Sequence, residues 1–372
     1  MIKQSIQKYS KSILKILALI GLIYLFLLSV TLIGEVFKMM GQGTAKTIMQ
    51  TVSNPILGLV VGVFTTSLVQ SSSLTTSLVV GLVAGGVFST NPDIDPIRLA
   101  IPIIMGANIG TSVTNLLVSI GHITRSEEFE RALSASIVHD FFNVLSVLVI
   151  FPLQYFFNVI GKTAEFASGF FVNIGGLKMV NPLSTILKPV AKAILNLFPN
   201  SPWIGLIIAF ILLFVALRFI VIVMKSLVLK KIEIFFDQYI FKTTMRALFL
   251  GMLFTAMVQS SSITTSLVVP LAAAGVLSLK KIFPYDLGAN VGTTITAFLA
   301  SLATNNADAV TIAFSHLIFN VMGIMIWLPL KRVPIYMAVV FSKWSVRHRW
   351  VPLVYILLVF FLIPLLLILL MR

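Results

Sequence analysis

Two runs of eleven residues, Gln70–Val80 (QSSSLTTSLVV) and Gln259–Val269 (QSSSITTSLVV), differ only where Leu74 faces Ile263. Each gathers one amide and three consecutive serine hydroxyls, followed by Thr75, Thr76 and Ser77 or by Thr264, Thr265 and Ser266. Hydroxyls and amides are neutral groups that both donate and accept hydrogen bonds. Their donors suit a small oxyanion, and their oxygens are hard ligands suited to sodium. An isolated SSS run in an apolar helix reads as back-bonding to a carbonyl or as close helix packing. A duplicated block needs more than that. The candidate anion ligands are Gln70, Ser71, Ser72, Ser73, Gln259, Ser260, Ser261 and Ser262, and the candidate sodium ligands are Ser73, Ser262, Thr75, Thr76, Thr264 and Thr265.

Two further blocks recur in the same order. Gly106–Thr111 reads GANIGT and Gly288–Thr293 reads GANVGT; His139, Phe142 and Asn143 then match His316, Phe319 and Asn320 in an HxxFN pattern. Three blocks in one order mark an internal duplication. Asn108 and Asn290 join the anion candidates, because polar side chains at membrane depth are costly without a role. Thr111 and Thr293 join the sodium candidates. The glycines Gly106, Gly110, Gly288 and Gly292 suit either close helix packing or a site, and the two histidines suit interhelical hydrogen bonds.

The elements that must position these groups follow from composition. Of 372 residues, 58% are hydrophobic and 10% charged, against roughly a quarter charged in a soluble domain. The apolar runs are continuous over about 20 residues, which demands membrane-spanning helices and excludes both a soluble enzyme and an alternating outer-membrane barrel. With no cysteine, thiol catalysis, disulfides and cysteine metal sites are excluded. The formal charge of +15 belongs to basic residues between spans, where it sets topology instead of recruiting nucleic acid. Lys3, Lys8, Lys11 and Lys15 precede a run as long as a span with no small-residue cleavage site after it, which predicts a retained first helix.

Seven full crossings are expected: Ser12 to Ile33, Leu99 to Ile120, Ala135 to Tyr155, Pro202 to Met224, Tyr285 to Leu302, Val310 to Leu330 and Val351 to Met371. Two more apolar stretches, Thr51 to Phe88 and Thr244 to Leu277, are interrupted by the hydroxyl runs and read as re-entrant hairpins or broken helices. Irregular backbone at membrane depth survives only where protein or a wet cavity satisfies it, so the interruptions predict an internal site. Placing the N-terminal lysines and the loops Lys225 to Arg246 and Lys331 to Arg349 in the cytoplasm satisfies the charge rule. The two halves then run in opposite senses, residues 1–155 as the first inverted repeat and 202–330 as the second. Between them residues 156–201 form an outward-facing loop, and residues 331–372 add a cytoplasmic loop and a final helix. Inverted repeats with broken helices are the layout of secondary transporters that work by alternating access. The fold expected is thus an all-α polytopic membrane protein with two re-entrant hairpins.

If the chain reverses at each hydroxyl run, a half-helix begins there, and its free N–H groups favour an anion. The expected membrane core carries Asp140, His139 and His316 as its ionisable groups, with no buried arginine. A divalent anion entering so neutral a site is costly unless cations accompany it. Sodium entering with the anion supplies that compensation.

The paired QSSS blocks, GANIGTSVTN (Gly106–Asn115), GANVGTTITA (Gly288–Ala297) and the two HxxFN helices resemble the type II sodium-dependent phosphate cotransporters and their bacterial homologues, over roughly Thr51 to Leu330. The resemblance implies sodium-coupled phosphate symport in a bacterial inner membrane, with phosphate and sodium held at the two QSSS regions and no cofactor beyond the transported sodium. The animal relatives' disulfide cannot form here. The residues by themselves leave open a transporter of another small oxyanion, a phosphate exporter and a passive anion channel. A membrane enzyme is disfavoured, since a serine nucleophile needs a base that neither QSSS block supplies.

Overall fold

The computed structural model describes residues 2–52, 54–89, 95–173, 176–199, 201–235 and 243–371. These are mostly helical, with no strand among them. Seven helical stretches are long and apolar enough to cross a membrane: Ile13–Phe37, Pro96–Ile120, Ser126–Phe157, Pro202–Ile220, Leu279–Thr304, Ala307–Trp327 and Val351–Leu370. Each matches one of the seven expected crossings.

In chain order the helices are α1 (Ile2–Val52), α2 (Pro55–Val69), α3 (Ser72–Ala84), α4 (Pro96–Gly110), α5 (Ser112–Ile120), α6 (Ser126–Phe157), α7 (Val159–Asn173) and α8 (Gly176–Asn196). There follow α9 (Pro202–Phe235), α10 (Thr244–Val258), α11 (Ser261–Ser266), α12 (Val268–Ala273), α13 (Leu279–Thr304), α14 (Ala307–Trp327) and α15 (Arg332–Arg347). The last span closes the chain. Starts are set by local chemistry. Asn54 and Asp95 each accept from an amide two residues on and are followed by proline, whose missing N–H costs nothing at the first helical position.

Both hydroxyl runs break a helix as expected. α2 ends at Gln70 in the left-handed region (φ 54°), and the extended Ser71 (φ −148°) then caps α3 by accepting from the Leu74 amide. The second copy repeats this with Gln259 (φ 59°) and Ser260 (φ −153°), which accepts from the Ile263 amide. One left-handed residue plus one capping serine is enough to reverse the chain.

The first arm of each hairpin lies against a GAN helix along a glycine seam. A Cβ on Gly62 would fall on the Ile103 carbonyl oxygen and one on Gly106 on that of Leu59; Gly251 meets the Tyr285 carbonyl and Gly288 that of Leu248 in the same way. The seam leaves no room for a side chain, which assigns Gly106 and Gly288 to packing. The second arms cross over. α3 packs against α13 and α14 of the second half, and α11 and α12 against α5 and α6 of the first.

Two expected bounds need correction, and two stretches expected between spans hold helices. The third span begins at Ser126, nine residues early, because Glu127, Glu128, Glu130 and Arg131 are helical without being apolar. α9 continues through Lys225, Lys230 and Lys231 to Phe235 instead of ending at Met224; Asp237 and Lys242 of that expected loop lie outside the described residues. The stretch 156–201 holds the helices α7 and α8, packed on α14 and on α1 and α13. The loop Lys331 to Arg349 is the helix α15, lying along α6.

Candidate functional site

The two tips meet. Ser73 Oγ donates to the Gln259 backbone carbonyl at 3.5 Å, and a cavity of about 310 Å³ is lined by Gln70, Ser71, Ser73, Gln259, Ser260 and Ser262 together with Thr114, Arg218 and apolar side chains of α9. Six of the eight residues of the two QSSS runs thus share one space. Ser72 and Ser261, each 3% exposed, are buried and do not line it. The amides of Ser72 and Ser73, and of Ser261 and Ser262, are the first of their helices and have no carbonyl one turn back within the helix. The cavity wall thus carries neutral donors from both tips beside the one charged side chain, Arg218, an arrangement that suits an oxyanion.

The tips are not equivalent. Thr296 donates to Gln259 Oε1 at 2.8 Å, whereas its counterpart Thr114 lines the cavity with its Oγ1 unpaired. The second tip's amide is therefore held by α13, while among the described residues that of Gln70 has no such hydrogen bond.

The threonines stand behind the tips. Thr76 donates to the Ser73 carbonyl (3.3 Å), Thr264 to Ser260 (2.9 Å), Thr111 to Ala107 (2.9 Å) and Thr293 to Ala289 (3.1 Å). Thr75 donates to the Ser71 carbonyl and accepts from Thr66. Thr265 meets Asn115, whose Nδ2 donates to it at 2.8 Å. None of the six lines the cavity. Each spends its proton on protein, leaving oxygen lone pairs as its only remaining capacity.

Asn108 and Asn290 lie deeper still, in two crossed clusters. His316 Nε2 donates to Asn108 Oδ1 at 3.1 Å, and Asn108 Nδ2 donates to Asn320 Oδ1 at 3.0 Å. Reciprocally, His139 Nε2 donates to Asn290 Oδ1 and Asn290 Nδ2 to Asn143 Oδ1, both at 2.7 Å. Each GAN asparagine is held by the HxxFN helix of the other half, with all six side chains buried. The histidines take the interhelical role expected of them. Replacing Asn290 by leucine strands a buried imidazole and a buried amide, each costing about 1–3 kcal/mol. The expected result is a clear drop in unfolding temperature in detergent; a variant as stable as the wild type would show the cluster to be dispensable.

Three site features lie outside the residues expected from sequence. Asn115 spans the halves, its Oδ1 accepting from Thr265 (3.0 Å) and Ser266 (2.8 Å); its replacement by Ala297 in the second GAN block was the available signal. Arg218 lines the cavity, and Asp286 in α13 is 1% exposed with neither carboxylate oxygen paired. Both correct the expectation that Asp140, His139 and His316 are the only ionisable groups of the core. The charged side chain was visible in each case as a single interruption of an apolar run. Asp140 itself is buried in α6, with its Oδ2 accepting from Tyr355 of the last span.

Among known proteins, the model of the Na⁺/Pi-cotransporter family matches residues 25–181 and 211–360. Curated relatives include the sodium-dependent phosphate transport protein 2A of Ovis aries, 32% identical with 97% of this chain and 68% of the relative covered. That of Rattus norvegicus is 31% identical, with 98% and 68% covered. The 2B protein of Homo sapiens is 30% identical, with 98% and 66% covered. No solved structure matches the chain.

Proposed function

The chain belongs to the Na⁺/Pi-cotransporter family, a family of transporters, and from that premise we propose that it carries inorganic phosphate across the membrane coupled to sodium, with phosphate held between the two QSSS tips. The observation that carries this is the single cavity into which both tips project neutral donors. Sodium bound at hydroxyl and carbonyl oxygens around the tips offsets the charge of the anion, which gives coupling a physical reason. Ser73, Ser262 and the threonines behind the tips are the sodium ligands we favour; Gln70, Ser71, Gln259 and Ser260 face the phosphate, and the buried Ser72, Ser261, Asn108 and Asn290 hold the frame around it.

Three candidate spans separate the two hairpins, an odd number, so the hairpins enter from opposite faces if each span crosses once. That supports alternating access, with the shared cavity exposed to each side in turn. The lysine distribution supports an N-terminus in the cytoplasm of a bacterial cell, with the chain in its inner membrane.

The test is uptake of labelled phosphate into proteoliposomes under an inward gradient of sodium, or of potassium or choline. Accumulation only with sodium is the expected result. Uptake indifferent to the cation would overturn the coupling, and inhibition by other oxyanions measures how far the tips discriminate.

A further inference from the structure

We infer that Asn115 and Arg131 are positioning residues of the transport site: they tie the two ends of the second hairpin's return arm to the first half of the chain, and so hold the Gln259–Ser262 tip where it meets Ser73. This deepens the transport reading and rests on it. The return arm is α11 and α12, Ser261 to Ala273, lying on α5 and α6. Apolar contact between helices is non-directional and leaves an arm free to slide. Hydrogen bonds fix where it stops.

Near the tip, Asn115 Nδ2 donates to Thr265 at 2.8 Å, and its Oδ1 accepts from Ser266 at 2.8 Å. Thr265 gives its own proton to the Ser261 carbonyl at 2.8 Å, so the tie reaches the first residue of α11. Ser136 of α6 steadies Asn115 in turn, its Oγ donating to the Asn115 carbonyl at 2.8 Å. At the far end the arm stops at Ala273, whose carbonyl is one of those a helix leaves without a partner. Arg131 Nε donates to it at 2.8 Å, and a cation suits the negative end of a helix. The guanidinium lies over Gly275, which takes the left-handed conformation (φ 77°) that ends the arm.

In the duplicated register the first hairpin carries neither tie. Ala297 stands where Asn115 does and Asp308 where Arg131 does. Ser77, the match of Ser266, is buried with its hydroxyl unpaired, and a Cβ on Gly86, the match of Gly275, meets nothing within 4 Å. The same hairpin architecture therefore forms without these ties. Their place at one hairpin alone assigns them to its tip instead of to the fold.

The experiment uses the full chain, which has no cysteine, so that a single Ala272→Cys reports on the arm. Ala272 is 3% exposed and lines a cavity of about 210 Å³ beside Arg131. In detergent, a maleimide is expected to label that cysteine about tenfold faster in Asn115→Ala and Arg131→Gln backgrounds than in the native one, as the loss of a buried or charge-assisted hydrogen bond implies. In proteoliposomes at saturating sodium, the same two substitutions without the reporter are expected to raise KM for phosphate by a similar factor with kcat within about twofold, the signature of lost binding. Arg131→Lys keeps a donor and the charge and is expected to recover much of both effects; Asp308→Asn, at the matched position, is expected to change neither. Should either main variant fail to insert, the other decides together with Ser266→Ala, which cuts the Asn115 tie from the arm's side and must shift labelling and KM the same way. Native labelling rates in the variants, or a fall in kcat with KM unchanged, overturn the inference while leaving the transport reading standing. A wild type that takes up no phosphate overturns the transport reading, and the inference with it.

Discussion

A Ser73→Leu protein is expected to insert and fold yet to take up phosphate at least about a hundredfold more slowly than the wild type, through the combined loss of a donor to a charged ligand and of the space it occupies. Ser73 is the point where the tips touch, since its hydroxyl reaches the Gln259 carbonyl and its surface lines the shared cavity. A leucine there has room only by extending into that cavity. Both Ser73 and Ser72 are buried, but only Ser73 borders the cavity, so the fold should tolerate this better than a change at Ser72. The decisive comparison is labelled uptake beside a melting curve in detergent. Wild-type uptake by Ser73→Leu would remove this serine from the site.

Gly288→Ala is expected to destabilise the protein by about 3 kcal/mol or more, the upper range for forcing a methyl group into a closed interior. The added Cβ falls on the Leu248 carbonyl oxygen, a backbone atom of α10 that cannot rotate aside. The two helices must separate, and because α10 ends at the Gln259 tip, transport should fall with stability. Gly21→Ala is the control. A Cβ at Gly21 meets nothing within 4 Å, so this change should be neutral or stabilise α1 by up to about 1 kcal/mol through helix propensity. Equal melting temperatures for the two variants would show that the glycine seam is not as close as described.

The reversals at Gln70 and Gln259 are legible in sequence because a run of four polar residues interrupts an apolar stretch too short to cross twice. The crossings are legible for the same reason, since hydropathy at membrane depth leaves few alternatives. The helical extensions are not. Glu127, Glu128 and Lys225 are good helix formers that no hydropathy pattern claims, and α7, α8 and α15 mix polar and apolar residues as a loop would. Within the site, the contents of the tips are readable from their repetition, whereas the partners are a matter of three dimensions. Nothing in the spacing of Asn108 says that it meets His316 instead of His139. Arg218 is hidden by its own isolation, one charge in a run whose neighbours announce only a span.

The crossed pairing of Asn108 with His316 and Asn290 with His139 has the contact pattern of an isologous dimer, in which i touches j and j touches i. A half-chain ending ahead of Pro202 would hold one asparagine and one histidine with neither partner, and could complete its interior only by meeting a second copy. Joining the copies replaces that encounter with an intramolecular one at high effective concentration. It also releases them from having to stay alike. Asp140 against Leu317, Asn115 against Ala297 and Asp286 against Ile104 are differences that a dimer of identical chains could not hold, and they leave the two halves with different buried polar groups.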